Sequence, residues 1–220
     1  MVRFHGSYTD EENFVLLFRP VAECTLEDAL KKVDVDADRL RRTYGCLAAG
    51  LVWLHDHDLR HKDIKPANIL MTSEAEGSVL FCDFGSARDE RFGDVTQTGG
   101  EAKMRTVRYM SPETHAQEAR DKSSDVWSLG CVFLEVLTVL RGKKVNELCE
   151  SLYQTISERP AVEGDVSERP AEVNDVCYWM GLGSDGETDD FRSWITQLSC
   201  GHEPSDGPGV WIVEMVSPPA

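Results

Sequence analysis

Eight residues limit this chain more tightly than any others: His61-Lys62-Asp63-Ile64-Lys65-Pro66-Ala67-Asn68. They form a polar loop between a long helix and a small hairpin. The helix is expected over residues 38–57, where Leu40, Tyr44, Leu47, Leu51 and Leu54 recur at spacings of three and four and line one face. The hairpin is expected from two apolar runs, Ile69-Leu70-Met71 and Val79-Leu80-Phe81, joined by polar residues. Asp83-Phe84-Gly85 begins fifteen residues after Asn68. Ser111-Pro112-Glu113 follows, and Asp125-Val126-Trp127-Ser128 opens an apolar helix running to Leu140. Upstream, Asn13–Phe18 reads as a buried strand ended by Pro20. Thr25, three residues before Asp28, starts a short helix. Residues 90–103 are polar and rich in Gly and Thr, a mobile loop.

A chain of 220 residues with 28% charged side chains has room for one sizeable domain. Its net charge of −16 repels phosphate backbones, which disfavours nucleic acid as a partner. The charge is uneven: residues 145–220 hold three basic side chains against fifteen acidic ones. Seven scattered cysteines, none in a C-x-x-C pair, fit a reducing compartment and ordinary thiols. The first residues carry no signal-peptide core, and the run Val126–Leu140, broken by Ser128 and Glu135, reads as a buried helix. The expectation is an intracellular, cytoplasmic chain without membrane contact, the nucleus left open. Residues 157–166 and 167–176 form a tandem acidic near-repeat, read as a surface insertion.

The loop residues suit phosphoryl transfer to a hydroxyl. One carboxylate must orient the attacking hydroxyl, a second carboxylate and an amide oxygen must hold a metal on the phosphates, and a cation should face the transferring group. Asp63, Asp83, Asn68 and Lys65 fill these roles. A lone loop aspartate is ordinarily solvated or a helix cap; the company Asp63 keeps favours chemistry.

These motifs, in this order, resemble the C-terminal lobe of eukaryotic protein kinases of the serine/threonine type. The catalytic loop is residues 61–68, the D-F-G is Asp83-Phe84-Gly85, and the A-P-E is Ser111-Pro112-Glu113. His61–Leu70 and Ser124–Val139 look closest to fungal kinases. The resemblance implies an α+β, protein-kinase-like fold, mainly the helical C-terminal lobe with a small hairpin, with most of the N-terminal β lobe missing. It implies ATP and Mg2+ as cofactors and a protein Ser or Thr as substrate. It makes Asp63 the catalytic aspartate, Lys65 its lysine, and Asn68 and Asp83 metal ligands. Arg19 and Val21 fall on the hinge that bonds adenine, Phe18 on the gatekeeper, Leu70 on the floor under the base, and Thr106 near the catalytic pair. His61, Phe84, Glu113 and Asp125 come out as structural.

The sequence also departs from the family. Only about two strands, residues 2–5 and 14–18, precede the hinge, so the glycine-rich loop, its lysine and the helix glutamate have no place. Gly181-Leu182-Gly183-Ser184-Asp185-Gly186 lies on the wrong side of the catalytic loop to supply them. Glu113 is left without its usual arginine, with Arg192 an unsupported substitute. Lys62 replaces an arginine and loses the bidentate fork; Thr98 is a phosphoacceptor, or Glu101 stands in for phosphate. The expected organisation is a remnant of N-lobe strands and hinge over 1–21, a C-lobe over 22–156, the acidic insertion over 157–190 and a truncated end over 191–220. The leading expectation is a serine/threonine kinase domain, inactive as this fragment. The alternatives are a non-catalytic kinase-like scaffold and a piece of a longer product.

Overall fold

The computed structural model describes residues 2–32, 34, 36–73, 79–91, 107–115, 121–158, 170, 172–173, 176–178 and 194. The chain divides into two units, Met1–Arg91 and Phe92–Ala220.

In the first unit, β1 (Arg3–Thr9) and β2 (Phe14–Arg19) form an antiparallel hairpin. The expected strand is there, but it is not buried. Phe14 is 67% exposed and Leu16, Leu17 and Phe18 are all exposed. A two-stranded ribbon has two faces, and among the described residues no helix or third strand pairs with it. Phe18 instead meets Phe4 edge-on, with ring centres 5.9 Å apart.

Next come β3 (Ala22–Thr25) and α1 (Leu26–Leu30). The Thr25 hydroxyl accepts from the Asp28 amide at 3.1 Å, and the Asp28 carboxylate accepts from the Thr25 amide at 3.2 Å, a reciprocal cap. The long helix α2 spans Ala37–Asp56, and Leu40, Leu47, Leu51 and Leu54 are buried as their spacing requires, while Tyr44 is half-buried. β4 (Leu59–Arg60) and the catalytic loop follow, then β5 (Ile69–Thr72) and β6 (Val79–Phe81), the expected hairpin. β3 adds to it as a third strand, opposing Thr25 to Leu70 and Cys24 to Met71. α2 lies across β6. A Cβ on Gly50 would stand 3.2 Å from the Phe81 ring, so the absent side chain allows the approach. Arg39 locks these layers together, donating to the Thr72 carbonyl at 2.7 Å and pairing with Glu23 at 2.8 Å. β7 (Arg88–Asp89) closes the unit by pairing with β4.

In the second unit a 3-10 turn, Val107–Tyr109, leads to α3 (Pro112–His115), α4 (Ser123–Leu140) and α5 (Val145–Glu158). By length and composition α4 could cross a membrane, yet 67% of it is buried inside the protein. It is the core helix, with Leu129, Val132, Leu134 and Val136 wholly buried. α5 buries Leu148, Cys149, Leu152 and Ile156, spaced for one face. Pro170, Val176, Cys177, Tyr178 and Trp194 are also buried. The Trp194 indole donates to the Thr138 hydroxyl at 3.1 Å, and the Lys143 ammonium sits 4.6 Å from its ring centre.

Candidate active site

The site grows out of the backbone on either side of β5 and β6. Leu59–Arg60 and Arg88–Asp89 pair as a short ribbon, and the Arg60 guanidinium, almost fully buried, meets Glu90 at 2.7 Å. After Arg60 the chain turns sharply, with Lys62 in the left-handed region at φ 66. Ile64, 1% exposed, pins the loop to the core. Pro66 then opens a single 3-10 turn, Pro66–Asn68, closed by the Asn68 amide on the Lys65 carbonyl at 2.9 Å.

This turn gathers three side chains. Lys65 Nζ lies 2.9 Å from Asp63 Oδ2. Asn68 Nδ2 donates to the same oxygen at 2.8 Å and to the Asp63 carbonyl at 2.9 Å. Asp63 is thereby held from two sides in one orientation, still partly open to solvent. Asn68 spends its amide nitrogen on Asp63, so its Oδ1 faces away as an acceptor.

His61 and Asn68 also fix the second carboxylate. The Asn68 carbonyl accepts the Cys82 amide at 2.9 Å, and His61 Nε2 donates to the Cys82 carbonyl at 3.0 Å. A carbonyl cannot donate, so His61 carries its proton on Nε2. The imidazole is wholly buried, and its ring centre lies 4.8 Å from Phe84 and 5.6 Å from Phe81. It is a structural strut, as the resemblance implies. With residue 82 gripped on both sides, Asp83 follows in the left-handed conformation, φ 58 and ψ 67, its side chain exposed. Its Oδ1 is 3.4 Å from the Gly85 amide, and a Cβ on Gly85 would approach that oxygen to 3.2 Å. Cys82 is half-buried; burial first and the Asp83 charge second push its thiol up, which keeps it a thiol rather than a nucleophile.

Asp63, Lys65, Asn68, His61, Asp83 and Phe84 are thus gathered in one unit. Leu70, half-buried on β5, lies opposite Thr25, four residues after Val21. Arg19 and Val21 are exposed, Val21 by 81%. Glu113 does find partners: the Ser124 hydroxyl reaches it at 3.0 Å and the Ser123 hydroxyl at 3.4 Å. Asp125 is buried at the start of α4, and Trp127 is core. Thr106, Thr98, Glu101, Arg192 and residues 181–186 lie outside the described residues.

Among the described residues no group of three His, Cys, Asp or Glu side chains could cage a metal. An exposed carboxylate and an amide oxygen fit an ion that takes one or two protein ligands and completes its shell elsewhere. Sequence reasoning missed β3, the Arg60–Glu90 pair and the partners of Glu135. For α5 the signal was available, since Leu148, Leu152 and Ile156 repeat every four residues.

The family model described as protein kinase domain matches residues 1–192. The chain is 31% identical over 140 residues to mitogen-activated protein kinase kinase kinase 2 of Arabidopsis thaliana, which covers 63% of this chain and 21% of that protein. It is 28% identical over 182 residues to mitogen-activated protein kinase kinase kinase A of Dictyostelium discoideum, 81% of this chain and 19% of that one. It is 37% identical over 114 residues to serine/threonine-protein kinase PknJ of Mycobacterium tuberculosis, 51% of this chain and 19% of that one. The chain therefore spans about a fifth of the length of these curated relatives.

Proposed function

Since the chain belongs to the protein kinase domain family, we propose that it supplies the catalytic half of a serine/threonine protein kinase. The reaction is transfer of the γ-phosphate of ATP to a Ser or Thr hydroxyl of a protein. One observation carries the reading: Lys65 and Asn68 converge on a single oxygen of Asp63. Asp63, so held, orients the incoming hydroxyl and takes its proton. Lys65, paired with Asp63 at rest, has its ammonium at hand for the oxygens of the moving phosphoryl group. Asn68 Oδ1 and the Asp83 carboxylate would hold Mg2+, which when bound neutralises charge on the phosphates. Leu70, with Arg19 and Val21 ahead of it, would meet the adenine. Thr106 belongs to the substrate side of the same reading, and a fungal character rests on His61–Leu70 and Ser124–Val139.

Taken alone, these 220 residues would bind ATP weakly and transfer phosphate slowly, since the turn joining β1 and β2, residues 10–13, carries no glycine to lie over phosphates. A non-catalytic docking module is the second reading. The intact Asp63, Lys65, Asn68 and Asp83 set speaks against it, since a scaffold has no chemical use for all four.

The test is transfer of γ-labelled phosphate to a general protein substrate by the gene product purified from its own cells, with and without Mg2+. Transfer that needs Mg2+ and disappears in Asp63→Asn is expected. No transfer by the parent, or equal transfer by Asp63→Asn, overturns the reading. Intact mass of the same preparation shows what accompanies the 24.6 kDa described by the sequence.

A further inference from the structure

We propose that Tyr178 is a positioning residue for residues 107–111, bracing through Glu135 the turn that carries Tyr109 and leads into Ser111-Pro112-Glu113. The kinase reading enters only in what that turn does; the brace itself rests on geometry.

Glu135 sits in the most apolar helix of the chain and is 3% exposed. A carboxylate there is tolerable only when hydrogen-bonded. Its Oε1 accepts the Tyr109 hydroxyl at 2.8 Å and, on the same oxygen, the Tyr178 hydroxyl at 2.5 Å. The two rings meet edge to face, 5.7 Å between centres. Arg108 lies half-buried beside them; burial works against its charge, and the Tyr178, Cys149, Tyr109 and Glu135 groups together outweigh that and favour it. The turn is also held through its main chain, since the Ser128 hydroxyl donates to the Tyr109 carbonyl at 2.8 Å.

The terminal torsion of a glutamate is broad. With Tyr109 as the only phenol, the carboxylate could swing and carry the turn with it. A second phenol on the same oxygen removes that freedom. Tyr178 is itself fully enclosed: it is 0% exposed, and its neighbours Val176 and Cys177 are buried with it. The brace therefore runs from an enclosed residue, through a buried carboxylate, to the turn that precedes Ser111.

If Tyr178 merely filled volume, phenylalanine would serve as well. Hydrogen–deuterium exchange of the full chain separates the two. In Tyr178→Phe, which keeps the ring, the amides of residues 107–111 are expected to exchange at least about tenfold faster, with those of α5 within about twofold of the parent. Tyr109→Phe is expected to do the same. The double variant should exchange little faster than the quicker single one, because both hydroxyls act through one oxygen. Unchanged exchange at 107–111, equal acceleration of α5, or full multiplication in the double variant overturns the proposal. Should Tyr178→Phe fail to fold, Glu135→Gln keeps the shape and one acceptor, and is expected to loosen 107–111 ahead of α5; a uniform response is the overturning result. If the parent also phosphorylates protein, Tyr178→Phe raises KM for protein and leaves KM for ATP unchanged. A parent without transfer removes the kinase reading, while the exchange result still decides the brace.

Discussion

The two units solve the same problem, how to hold a carboxylate still, by opposite means. In the first, Asp63 is held by Lys65 and Asn68, two and five residues away along the chain. In the second, Glu135 is held by Tyr109 and Tyr178, at separations of 26 and 43. Asp63 stays partly open to solvent, ready to meet a reactant; Glu135 is sealed in the core. Local bonding leaves a carboxylate available for chemistry. Long-range bonding turns one into a tie between distant segments.

The contrast is sharpest in activity. Asp63→Asn is expected to cut phosphate transfer by the native product about 10²–10⁴-fold. The melting temperature should hardly move, because an asparagine oxygen still accepts from Asn68. A melt that shifts as far as the activity would make Asp63 structural and erase the difference between the carboxylates. Glu135→Ala is the counterpart. It strands the buried Tyr178 phenol, the part-buried Tyr109 phenol and Arg108, and a loss of about 3–5 kcal/mol in the second unit is expected by denaturant melt. Exchange protection in β5 and β6 reports on the first unit and should stay as in the parent. Equal loss in both units would show that Glu135 supports more than its own core.

Alkali offers a gentler comparison. Burial first, and the Glu135 charge next, push Tyr109 and Tyr178 well above the usual value of 10.0. Burial likewise raises Cys131 and Cys149 above 9.0, with Glu135 adding to both and Arg108 opposing the shift at Cys149. A group whose folded value is raised contributes stability that is whole below its unfolded value and lost as pH climbs toward the folded one. The second unit should therefore weaken from about pH 9 upward, through both residue types, and hold steady between pH 6 and 8. In the first unit half-buried Cys82 contributes in this way; Arg91 is raised too, first by its hydrogen bond to Asp89, but an arginine titrates beyond the range of the test. A unit-resolved exchange series across pH 7 to 11 reads it, and parallel weakening of both units would contradict it. The smallest effect is at Thr25→Ala, which removes the α1 cap and costs about 1 kcal/mol, all of it in the first unit.

The same contrast explains what the sequence disclosed. The set Asp63, Lys65 and Asn68 was legible because it lies within six residues and its spacing is fixed by one turn. α2 was legible because periodicity reports burial directly, and α4 because a long apolar run has to be covered. β3 was not, since only its last residue, Thr25, carried a local signal, that of a helix start, and the third-strand role comes from lying beside Leu70 and Met71. Asn13–Phe18 misled about burial, because an apolar run says which residues prefer a core without supplying a surface to cover them. Glu135 read only as an interruption in an apolar run. Nothing local names Tyr109 and Tyr178 as its partners.

The uncovered hairpin of β1 and β2 also governs how the polypeptide behaves in the tube. Phe4, Tyr8, Phe14, Leu16, Leu17 and Phe18 all face water. A charge of −16 keeps copies apart at low ionic strength. At about 1 M salt the screening length shrinks to about 3 Å, and that repulsion no longer reaches across the gap between molecules. Colloidal stability then depends on six bare aromatic and aliphatic side chains, so light scattering should rise with added salt, and Phe14→Lys with Leu16→Lys should hold it flat.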